Sequence, residues 1–284
     1  MTQATKLRDL LRQPGMVIAP GAYDGLTAIL VAQAGFPAVY MTGAGTSVSH
    51  GYPDFGLLTQ TEMVANAARM ARAVDVPLIA DADTGYGNEL NTFRTVRDYE
   101  AAGVAGIHIE DQVSPKRCGH LDDKEIVPRE DWIAKLRAAA AARRDPDFLI
   151  IARTDSRAVV GFEEAISRAN KALANGADMA FVEAPQTLEE IAAVPKLVQG
   201  PCLLNVVWGG KTPAMDLREA ETMGFKLAIV PGLLFKAVIG ACDDVLATLK
   251  TTHRHPTPHG KMTVRDGFNR VGAKEWEALR TKFR

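Results

Sequence analysis

Acidic side chains end two of the short apolar runs in this 284-residue sequence. Asp81 and Asp83 end one run, Glu110 follows His108 at the end of another, and Asp54 lies in an earlier loop. Residues two apart on a β-strand point to the same side, so these carboxylates are expected to converge. Converging negative charges are costly unless a cation lies among them. An all-oxygen set favours a hard ion, and we predict Mg²⁺, with Mn²⁺ as the second choice.

Other apolar runs also end in residues suited to binding or catalysis, whereas their beginnings are comparatively plain. These ends carry Tyr40, Thr42, Gly43, Arg153, Asp155, Glu183 and Asn205. In a barrel of parallel strands, the active site lies at the carboxyl ends of the strands. The asymmetry therefore indicates an active site, with helix caps or surface acids as the alternative reading of individual aspartates.

A lone cysteine lies in the polar run KRCGH, residues 116–120, within a long loop. A thiol at its reference pKa of about 8.5 is mostly protonated at neutral pH, so Cys118 can act as a general acid. Neighbouring cations and a histidine tune the acidity of such a thiol. Loops of this length often act as lids. Cys202 and Cys242 are expected to be small core residues.

Short runs rich in Val, Ile and Ala alternate with longer segments of helical apolar spacing. The pattern predicts strands at 17–20, 38–41, 77–82, 106–110, 148–152, 178–183, 202–206 and 226–230. It predicts helices at 24–34, 60–73, 91–102, 130–143, 161–175, 187–198, 216–223 and 233–250. Eight strand–helix units favour a closed (β/α)8 TIM barrel over an open sheet. Gly43 and Gly45 are interpreted as a tight turn, because Val48 stands where a dinucleotide fingerprint needs its third glycine.

Composition excludes several classes of protein. Hydrophobic residues make up 47% and charged residues 24%, and the net charge of −1 argues against a nucleic-acid partner. No apolar run is long enough for a membrane helix, and the N-terminal segment has no signal-peptide core. Three cysteines without CxxC spacing leave the cytoplasm as the expected compartment.

The barrel is predicted to form one domain, residues 1–252, followed by a linker and helical arm, residues 253–284. The linker HRHPTPHG, residues 253–260, contains three histidines and two prolines. A solvated linker is favoured over a metal site, because the prolines break regular geometry. Helical character is expected around residues 273–282.

Five motifs resemble those of the isocitrate lyase/phosphoenolpyruvate mutase superfamily. They are KRCGH (116–120), DADTGYG (81–87), HIEDQ (108–112), ARTD (152–155) and FVEAP (181–185). The resemblance extends over about residues 10–250, and KRCGH is highly specific. The chain is similar to the short lyase branch, which includes methylisocitrate lyase, 2,3-dimethylmalate lyase and the petal-death-type lyases.

The resemblance implies a role for each matching position. Asp83 would contact Mg²⁺ directly, while Asp54, Asp81 and Glu110 would hold it mainly through water. Cys118 would protonate the departing enolate. The residues implied to bind substrate are Tyr40, Thr42, Gly43, Ala44, Asp81, Gly119, His120, Arg153, Glu183 and Asn205. The residues implied to be catalytic are Cys118, Arg153, Glu110, His120 and Tyr40.

The implied reaction is Mg²⁺-dependent carbon–carbon cleavage of a 2-hydroxy di- or tricarboxylate, such as 2-methylisocitrate or 2,3-dimethylmalate. Its products would be an α-keto acid, pyruvate or glyoxylate, and a carboxylic acid. Tyr40 and a metal-bound water are both candidate bases for the hydroxyl proton. The family also implies a homotetramer whose last barrel helix is exchanged between neighbouring subunits, with no nucleic-acid or membrane partner.

One position departs from the family pattern. Trp208 stands where these lyases usually have an acid, in the stretch NVVWGGKTP, residues 205–213. An aromatic residue removes a charge and fills space, which favours a smaller dicarboxylate with apolar substituents. The alternatives are an oxaloacetate hydrolase or decarboxylase, a phosphonomutase of the same superfamily, and a non-catalytic barrel that binds small acids.

Overall fold

The computed structural model describes residues 1–284 and contains a closed barrel of eight parallel strands. The strands pair in chain order, and β1 also pairs with β8 to close the barrel. The strands are β1 Val17–Ala22, β2 Val39–Met41, β3 Leu78–Asp81, β4 Gly106–Glu110, β5 Leu149–Thr154, β6 Met179–Val182, β7 Cys202–Asn205 and β8 Leu227–Val230. The predicted (β/α)8 fold is confirmed.

Helices surround the barrel, and a helix is present at each of the eight predicted positions. The helices are α1 Gln3–Arg12, α2 Gly25–Gln33, α3 Gly43–Ser49, α4 Gln60–Ala73, α5 Glu89–Ala101, α6 Arg129–Ala142, α7 Ser156–Val159, α8 Phe162–Leu173, α9 Leu188–Leu197, α10 Leu217–Met223, α11 Leu233–Thr252, α12 Val264–Asn269 and α13 Ala273–Lys282. None of them is long and apolar enough to cross a membrane.

Local signals explain where many helices begin and end. Helix α4 begins with a capping box, in which Thr59 and Glu62 each bond the backbone N–H of the other. Gly35, Gly103 and Gly176 follow the ends of α2, α5 and α8 with φ of 87°, 86° and 104°. Glycine tolerates this left-handed conformation, so it stops these helices.

The strands are buried on both faces, as parallel strands covered by helices must be. One apolar cluster fills the barrel interior and includes Tyr40, Ile151 and Phe181. A larger cluster joins the outer strand faces to the helices, with Trp132 and Tyr99 among its largest side chains. The barrel is therefore a packed core whose ends, rather than its axis, are available for a site.

Four helices differ from the sequence expectation, and one of them, α7, is a single turn directly after β5. Helix α1, which no prediction covered, buries Leu7 against the barrel interior cluster, and Arg8 pairs with Asp178 at 2.8 Å. The turn predicted at Gly43 is wrong, because helix α3 begins there. Its N-cap Thr42 accepts a hydrogen bond from the backbone of Gly45. Helix α12 in the arm was also not predicted.

Helix α11 projects from the barrel and has no buried residue along its length. Cys242 lies on it and is exposed, so its predicted place in the core is wrong, whereas Cys202 is buried as expected. The segment after α11 passes through exposed histidines to α12 and α13, and the latter confirms the helix expected around 273–282. The arm touches the barrel where Arg270 and Gln33 exchange hydrogen bonds of 2.6 and 2.8 Å. The division at residue 252 stays a prediction.

Candidate active site

A cavity of about 250 Å³ opens at the carboxyl ends of the strands. Strands β2, β3, β5, β6 and β7 or the residues that follow them, the loop after β4 and the start of α11 all contribute to its wall. We call the loop after β4, residues 111–128, the lid. The wall includes Tyr40, Asp81, Cys118, Arg153, Glu183 and Asn205. The structure thus brings the predicted substrate-binding positions together at one end of the barrel.

The four predicted metal-binding acids all lie at this end, but a lysine separates two of them. The ammonium group of Lys116 bonds to Asp54 and lies 3.2 Å from Asp83 Oδ1. No group of three or more His, Cys, Asp and Glu side chains is arranged around a common point. The assignment of these four acids as metal ligands stays a prediction. The lid places Lys116 there, and its charge offsets the repulsion between the carboxylates.

Asp81 is held by groups from three strands. Its Oδ1 accepts from the backbone of Asp83 at 2.9 Å and lies 3.5 Å from Nε2 of His108. Its Oδ2 accepts from the backbone of Gly43 at 3.2 Å and from the Tyr40 hydroxyl at 3.4 Å. A side chain at Gly43 would approach Asp81 Oδ2 to 2.4 Å, so only glycine allows this contact.

The other two barrel acids are fully enclosed. Asp83 adopts a φ of 44°, which is uncommon for an aspartate and typical of strained functional positions. Burial raises the pKa of Asp83 to about 6, against the opposing charge of Lys116. Burial also raises the pKa of Glu110 well above its usual range, although Arg153 Nη1 lies 3.0 Å from it. Both groups would bind a cation that stabilises their ionised forms.

Two buried oxygens at the mouth, Glu110 Oε1 and Asn205 Oδ1, have no hydrogen-bond donor. Asp83 Oδ1 and Glu110 Oε2 have no well-aligned hydrogen bond, and each lies beside one cation, Lys116 at 3.2 Å and Arg153 at 3.0 Å. Buried acceptors with too few donors are costly, and oxygens of this kind are the ligands that a hard cation prefers. The residues at the mouth therefore fit Mg²⁺.

The lid places Cys118 against the barrel. Its backbone N–H donates to the carbonyl of Asp54 at 3.1 Å, and Gln112 pairs with Ile126 at the base of the lid. Burial, together with the charge of Asp54, raises the pKa of the Cys118 thiol to about 11. Lys116 acts in the opposite direction but does not prevail. The thiol is therefore held in its protonated form at neutral pH, as a general acid requires.

The two residues after Cys118 fit closely into the site. A side chain on Gly119 would approach Glu183 Oε1 to 2.4 Å and Arg153 Nη2 to 2.5 Å, so glycine is required for the lid to close. His120 Nε2 lies 3.1 Å from Glu183 Oε1 and 3.3 Å from the amide of Asn205. Asn205 also donates to both carboxylate oxygens of Glu183 at 3.2 Å. The lid is thus joined to strands β6 and β7.

Arg153 is fixed from two sides within the mouth. Its Nε donates to Asp155 Oδ2 at 2.9 Å, and its guanidinium lies 5.3 Å from the Phe181 ring centroid. With Glu110 on the other side, the guanidinium is held in one orientation. An arginine fixed in this way can bind a substrate carboxylate through two parallel hydrogen bonds.

Tyr40 forms the floor of the site together with His108, which lies 2.7 Å from its hydroxyl. Burial raises the pKa of Tyr40 well above 10, and the negative charge of Asp81 acts in the same direction. Burial lowers the pKa of His108 to about 4, so the imidazole is neutral at neutral pH. Beside them, Thr42 and Ala44 line the cavity at the start of α3.

Trp208 lies at the rim of the cavity and is 81% exposed. The expectation that it fills space inside the pocket is therefore wrong in this structure, since most of its ring faces outward. Its backbone carbonyl accepts a hydrogen bond from Lys236 at 2.8 Å. Leu121 of the lid and Phe235 of α11 line the same side of the cavity.

Sequence reasoning missed three lysines at this site. Lys116 was noted only as a neighbour of Cys118, and Lys124 and Lys236 were not considered. The type and position of a lysine in the sequence do not indicate where its long side chain ends. Only the folded lid and the start of α11 bring these ammonium groups to the acids and carbonyls that they contact.

The pattern of the family described as phosphoenolpyruvate phosphomutase matches residues 7–250, which include all eight strands and every helix from α2 to α10, with most of α1 and α11. The chain belongs to the phosphoenolpyruvate mutase/isocitrate lyase superfamily. The predicted family resemblance is confirmed over nearly the same residues. The sequence motifs on which the resemblance was based lie around the cavity, so the family match and the position of the site agree.

Superfamily lyases are among the similar sequences. The chain is 47% identical to the 2,3-dimethylmalate lyase of Eubacterium barkeri over 251 residues, which cover 88% of this chain and 87% of that protein. It is 44% identical to the 2-methylisocitrate lyase of Aeropyrum pernix over 272 residues, which cover 95% and 88%. The chain is accordingly an enzyme of the superfamily's lyase/mutase type.

Solved superfamily structures share the whole fold. A 2,3-dimethylmalate lyase superimposes with a TM-score of 0.95 at 40% identity, covering 99% of this chain and 95% of that chain. An oxaloacetate acetylhydrolase with the inhibitor 3,3-difluorooxalacetate gives 0.95 at 38% identity, covering 99% and 97%. A phosphonopyruvate hydrolase in complex with oxalate and Mg²⁺ gives 0.90 at 30% identity, covering 100% and 99%. One fold in this superfamily thus supports several reactions of small acids.

Proposed function

We propose that this protein is a Mg²⁺-dependent carbon–carbon lyase that cleaves a 2-hydroxydicarboxylate of the 2,3-dimethylmalate type. The observation that carries the proposal is a protonated thiol, Cys118, held by the lid above buried acids, of which Asp83 and Glu110 are incompletely hydrogen-bonded. A lyase needs this pair of features, because it must stabilise one developing anion and protonate another.

The acids Asp83, Asp81, Asp54 and Glu110 would hold the cation, with Asp83 as the direct ligand implied by the family. When bound, Mg²⁺ supplies a positive charge that favours ionisation of the substrate hydroxyl and binds the neighbouring carboxylate. The similar phosphonopyruvate hydrolase contains Mg²⁺ together with oxalate, which supports this choice of ion. Lys116 lies 3.2 Å from Asp83 Oδ1, so a cation bound to that oxygen would replace this contact.

The substrate would be oriented by groups that are already fixed in the site. Arg153 would bind a carboxylate, and the backbone at Gly43 and Ala44 would bind the α-keto-acid portion beside Thr42. His120, Glu183 and Asn205 would complete the pocket under the lid. These assignments rest on the position of each group at the cavity wall and on the family resemblance.

Cleavage breaks the bond between C2, which bears the hydroxyl, and C3. The C2 oxygen forms the new carbonyl of pyruvate, and the electron pair of the broken bond passes to C3, giving an enediolate. Cys118 then transfers its proton to C3, which yields propionate from 2,3-dimethylmalate. The pKa of Cys118 close to 11 makes the thiol a proton donor suited to a strongly basic carbon.

Removal of the hydroxyl proton requires a base. The raised pKa of Tyr40 and the neutral His108 beside it favour a phenol that remains protonated. Such a phenol is better suited to donating a hydrogen bond to the substrate than to accepting a proton. Of the two bases considered from the sequence, this environment favours water in the mouth over Tyr40.

The substrate class rests on the rim of the cavity and on sequence similarity. Leu121 and Phe235 present apolar surface on the side of the cavity where Trp208, at the rim, replaces an acid that is usual in the family. The relative of 47% identity is named 2,3-dimethylmalate lyase. Both observations favour a dicarboxylate with apolar substituents over a tricarboxylate such as 2-methylisocitrate.

A second candidate is hydrolysis of oxaloacetate. The oxaloacetate acetylhydrolase structure superimposes as well as the dimethylmalate lyase does. That reaction uses the same kind of small dicarboxylate, so the fold alone does not separate the two. The identity of the acid that is consumed distinguishes them.

The test is a panel of acids supplied with Mg²⁺: 2,3-dimethylmalate, 2-methylisocitrate, isocitrate and oxaloacetate. Pyruvate is followed with lactate dehydrogenase, and acetate, oxalate and glyoxylate by chromatography. We expect pyruvate from 2,3-dimethylmalate, loss of activity with EDTA and recovery with Mg²⁺. Preferred release of oxalate and acetate would favour the hydrolase, and no turnover of any acid would contradict both.

Asp83→Asn is the matched variant for the metal. It preserves the size of the side chain but removes its charge. It should lose activity and also lose the rise in melting temperature that Mg²⁺ causes in the parent protein. A full Mg²⁺-dependent rise in the variant would contradict the role of Asp83 as a direct ligand, whatever the substrate is.

We also propose that the protein assembles as a homotetramer in which α11 packs on a neighbouring subunit. This helix has no buried residue within one chain, although it carries Val238, Val245, Leu246 and Leu249. Exposed apolar patches of this size are uncommon on monomers and typical of interfaces. The family expectation of an exchanged helix accounts for them.

A further inference from the structure

Lys124 is a lid residue whose side chain runs into the barrel mouth. It lies four positions after His120, and its side chain is only 1% exposed. Its ammonium group lies 2.8 Å from Asp155 Oδ1 and also donates to the backbone carbonyl of Gly119. One cation therefore joins two parts of the lid to the end of strand β5.

Asp155 connects this lid cation to the arginine of the site. Its Oδ1 accepts from Lys124, and also from Arg153 Nη2 at 3.3 Å, while its Oδ2 accepts from Arg153 Nε at 2.9 Å. The backbone N–H of Asp155 donates to Asp111 Oδ1 at 2.7 Å, which fixes the carboxylate at the start of the lid. Lys124 and Arg153 thus share one rigidly held carboxylate.

The contact between Lys124 and Asp155 is buried, so its loss should cost more free energy than the loss of a surface contact of the lid. A buried ammonium group without its partner is strongly unfavourable, so the lid cannot remain closed if Asp155 is not available. The pair between Asp122 of the lid and Lys211 is exposed on the acid side, and such pairs contribute little. In the closed position, Lys124 also fixes the carbonyl of the glycine that lies against Glu183 and Arg153.

We propose that Lys124 is a positioning residue that holds the lid closed and thereby places the Cys118 thiol over the reacting carbon. Lys124 does not itself line the cavity, and its ammonium group pairs with none of the metal-binding acids, so it acts through Gly119 and Asp155. Its effect on turnover rests on the proposed lyase function. Its effect on the position of the lid does not.

The first test measures the lid without any reaction. Cys118 is made the only cysteine with Cys202→Ser and Cys242→Ser, and its alkylation by iodoacetamide is timed in metal-free protein. Lys124→Met should react about tenfold faster or more, because a tenfold shift towards an open lid needs only about 1.4 kcal/mol. Lys124→Arg keeps the positive charge, so Cys118 in this variant should react more slowly than in Lys124→Met.

Lys171→Met is the matched control. Lys171 pairs with Glu130 between helices α8 and α6, outside the lid and on the surface, and its replacement should leave the alkylation rate unchanged. Circular dichroism and melting temperature report whether each variant is folded. If Lys124→Met does not fold, Lys124→Gln is measured in the same assay. An unchanged alkylation rate in a folded Lys124 variant overturns the proposal.

The second test separates placement of the acid from substrate binding. In Lys124→Met, kcat should fall by about tenfold or more while KM changes by less than about threefold, since Arg153 keeps its bonds to Glu110 and Asp155. Lys124→Arg should recover part of kcat. A rise in KM with an unchanged kcat would overturn the proposal. If the parent cleaves no acid in the panel, the alkylation result still decides the role of Lys124.

Discussion

At the scale of single residues, burial sets the protonation state of the groups that would move protons. It holds the Cys118 thiol and the Tyr40 phenol in their protonated forms and the His108 imidazole in its neutral form. It also makes the ionised forms of Asp83 and Glu110 unfavourable. The site therefore combines a proton donor in the lid with acids that gain from a nearby cation.

Cys118→Ser tests the proton donor. A serine keeps the size of the side chain but is a far weaker acid, and proton transfer by a placed group contributes about 10²- to 10⁴-fold. We therefore expect kcat to fall by about this factor, with a much smaller change in KM, in steady-state assays of pyruvate release. The double variant Cys202→Ser, Cys242→Ser is the control and should remain near the parent. A rate near the parent in Cys118→Ser would exclude the thiol as the acid.

The pH dependence of alkylation tests the state of the same thiol. The pKa of Cys118 is raised to about 11, so the thiol is protonated below that pH and its reactive thiolate increases with pH up to it. The rate of iodoacetamide alkylation should therefore rise about tenfold per pH unit from pH 7 to 10, without a plateau near the reference pKa of about 8.5. A plateau at that pH would show that burial does not control the thiol.

At the scale of elements, one end of the barrel holds the candidate active site and the other end contributes to packing. The carboxyl ends of the strands and the lid hold the polar residues of the site. The opposite end is closed by α1, whose Leu7 packs against the interior cluster. Stability and activity should therefore respond separately to changes at the two ends.

Leu7→Ala tests this separation. Truncating a buried leucine typically costs about 2–5 kcal/mol of the free energy of unfolding. We expect a clear fall in melting temperature by calorimetry, together with kcat and KM close to the parent at 25 °C. Leu90→Ala on α5 is the control, because Leu90 is exposed and such changes usually stay within about 0.5 kcal/mol. A large loss of activity in folded Leu7→Ala would contradict the division between the ends.

At the scale of the whole molecule, one end of the chain is incompletely packed. Helix α11 begins at the mouth, where Phe235 and Lys236 line the cavity, and then leaves the barrel with its apolar residues exposed. The arm beyond it carries Phe268 and Trp276 on its surface. A neighbouring subunit that covers these residues would also restrain the start of α11 at the site.

Leu246→Glu tests the assembly. Leu246 is 61% exposed within one chain, and a charge there would be costly in an apolar interface. We expect the parent to have the mass of a tetramer by light scattering and the variant to form smaller species with reduced activity. Leu197→Glu on α9 provides an exposed-leucine control and should remain tetrameric. A monomeric parent would contradict the proposed exchange of α11.

Local periodicity in the sequence determined the architecture and the end of the barrel that holds the site. The spacing of apolar runs predicted eight strand–helix units, and the polar residues that end those runs predicted which end of the barrel holds the site. These features depend on residues close in the chain, so they can be read without the fold. The KRCGH motif likewise indicates the superfamily, and its place in a long loop predicts a lid, without any tertiary contact.

Only the tertiary structure decided where flexible side chains and weakly periodic segments lie. Lys116 reaches Asp83, and Lys124 reaches Asp155 across 31 positions of sequence. Trp208 faces outward and Cys242 lies on an exposed helix, although their types suggested interior places. Long side chains and loops have many accessible conformations of similar energy. Contacts with distant strands stabilise one of these conformations, and the spacing of residues along the chain does not predict which one.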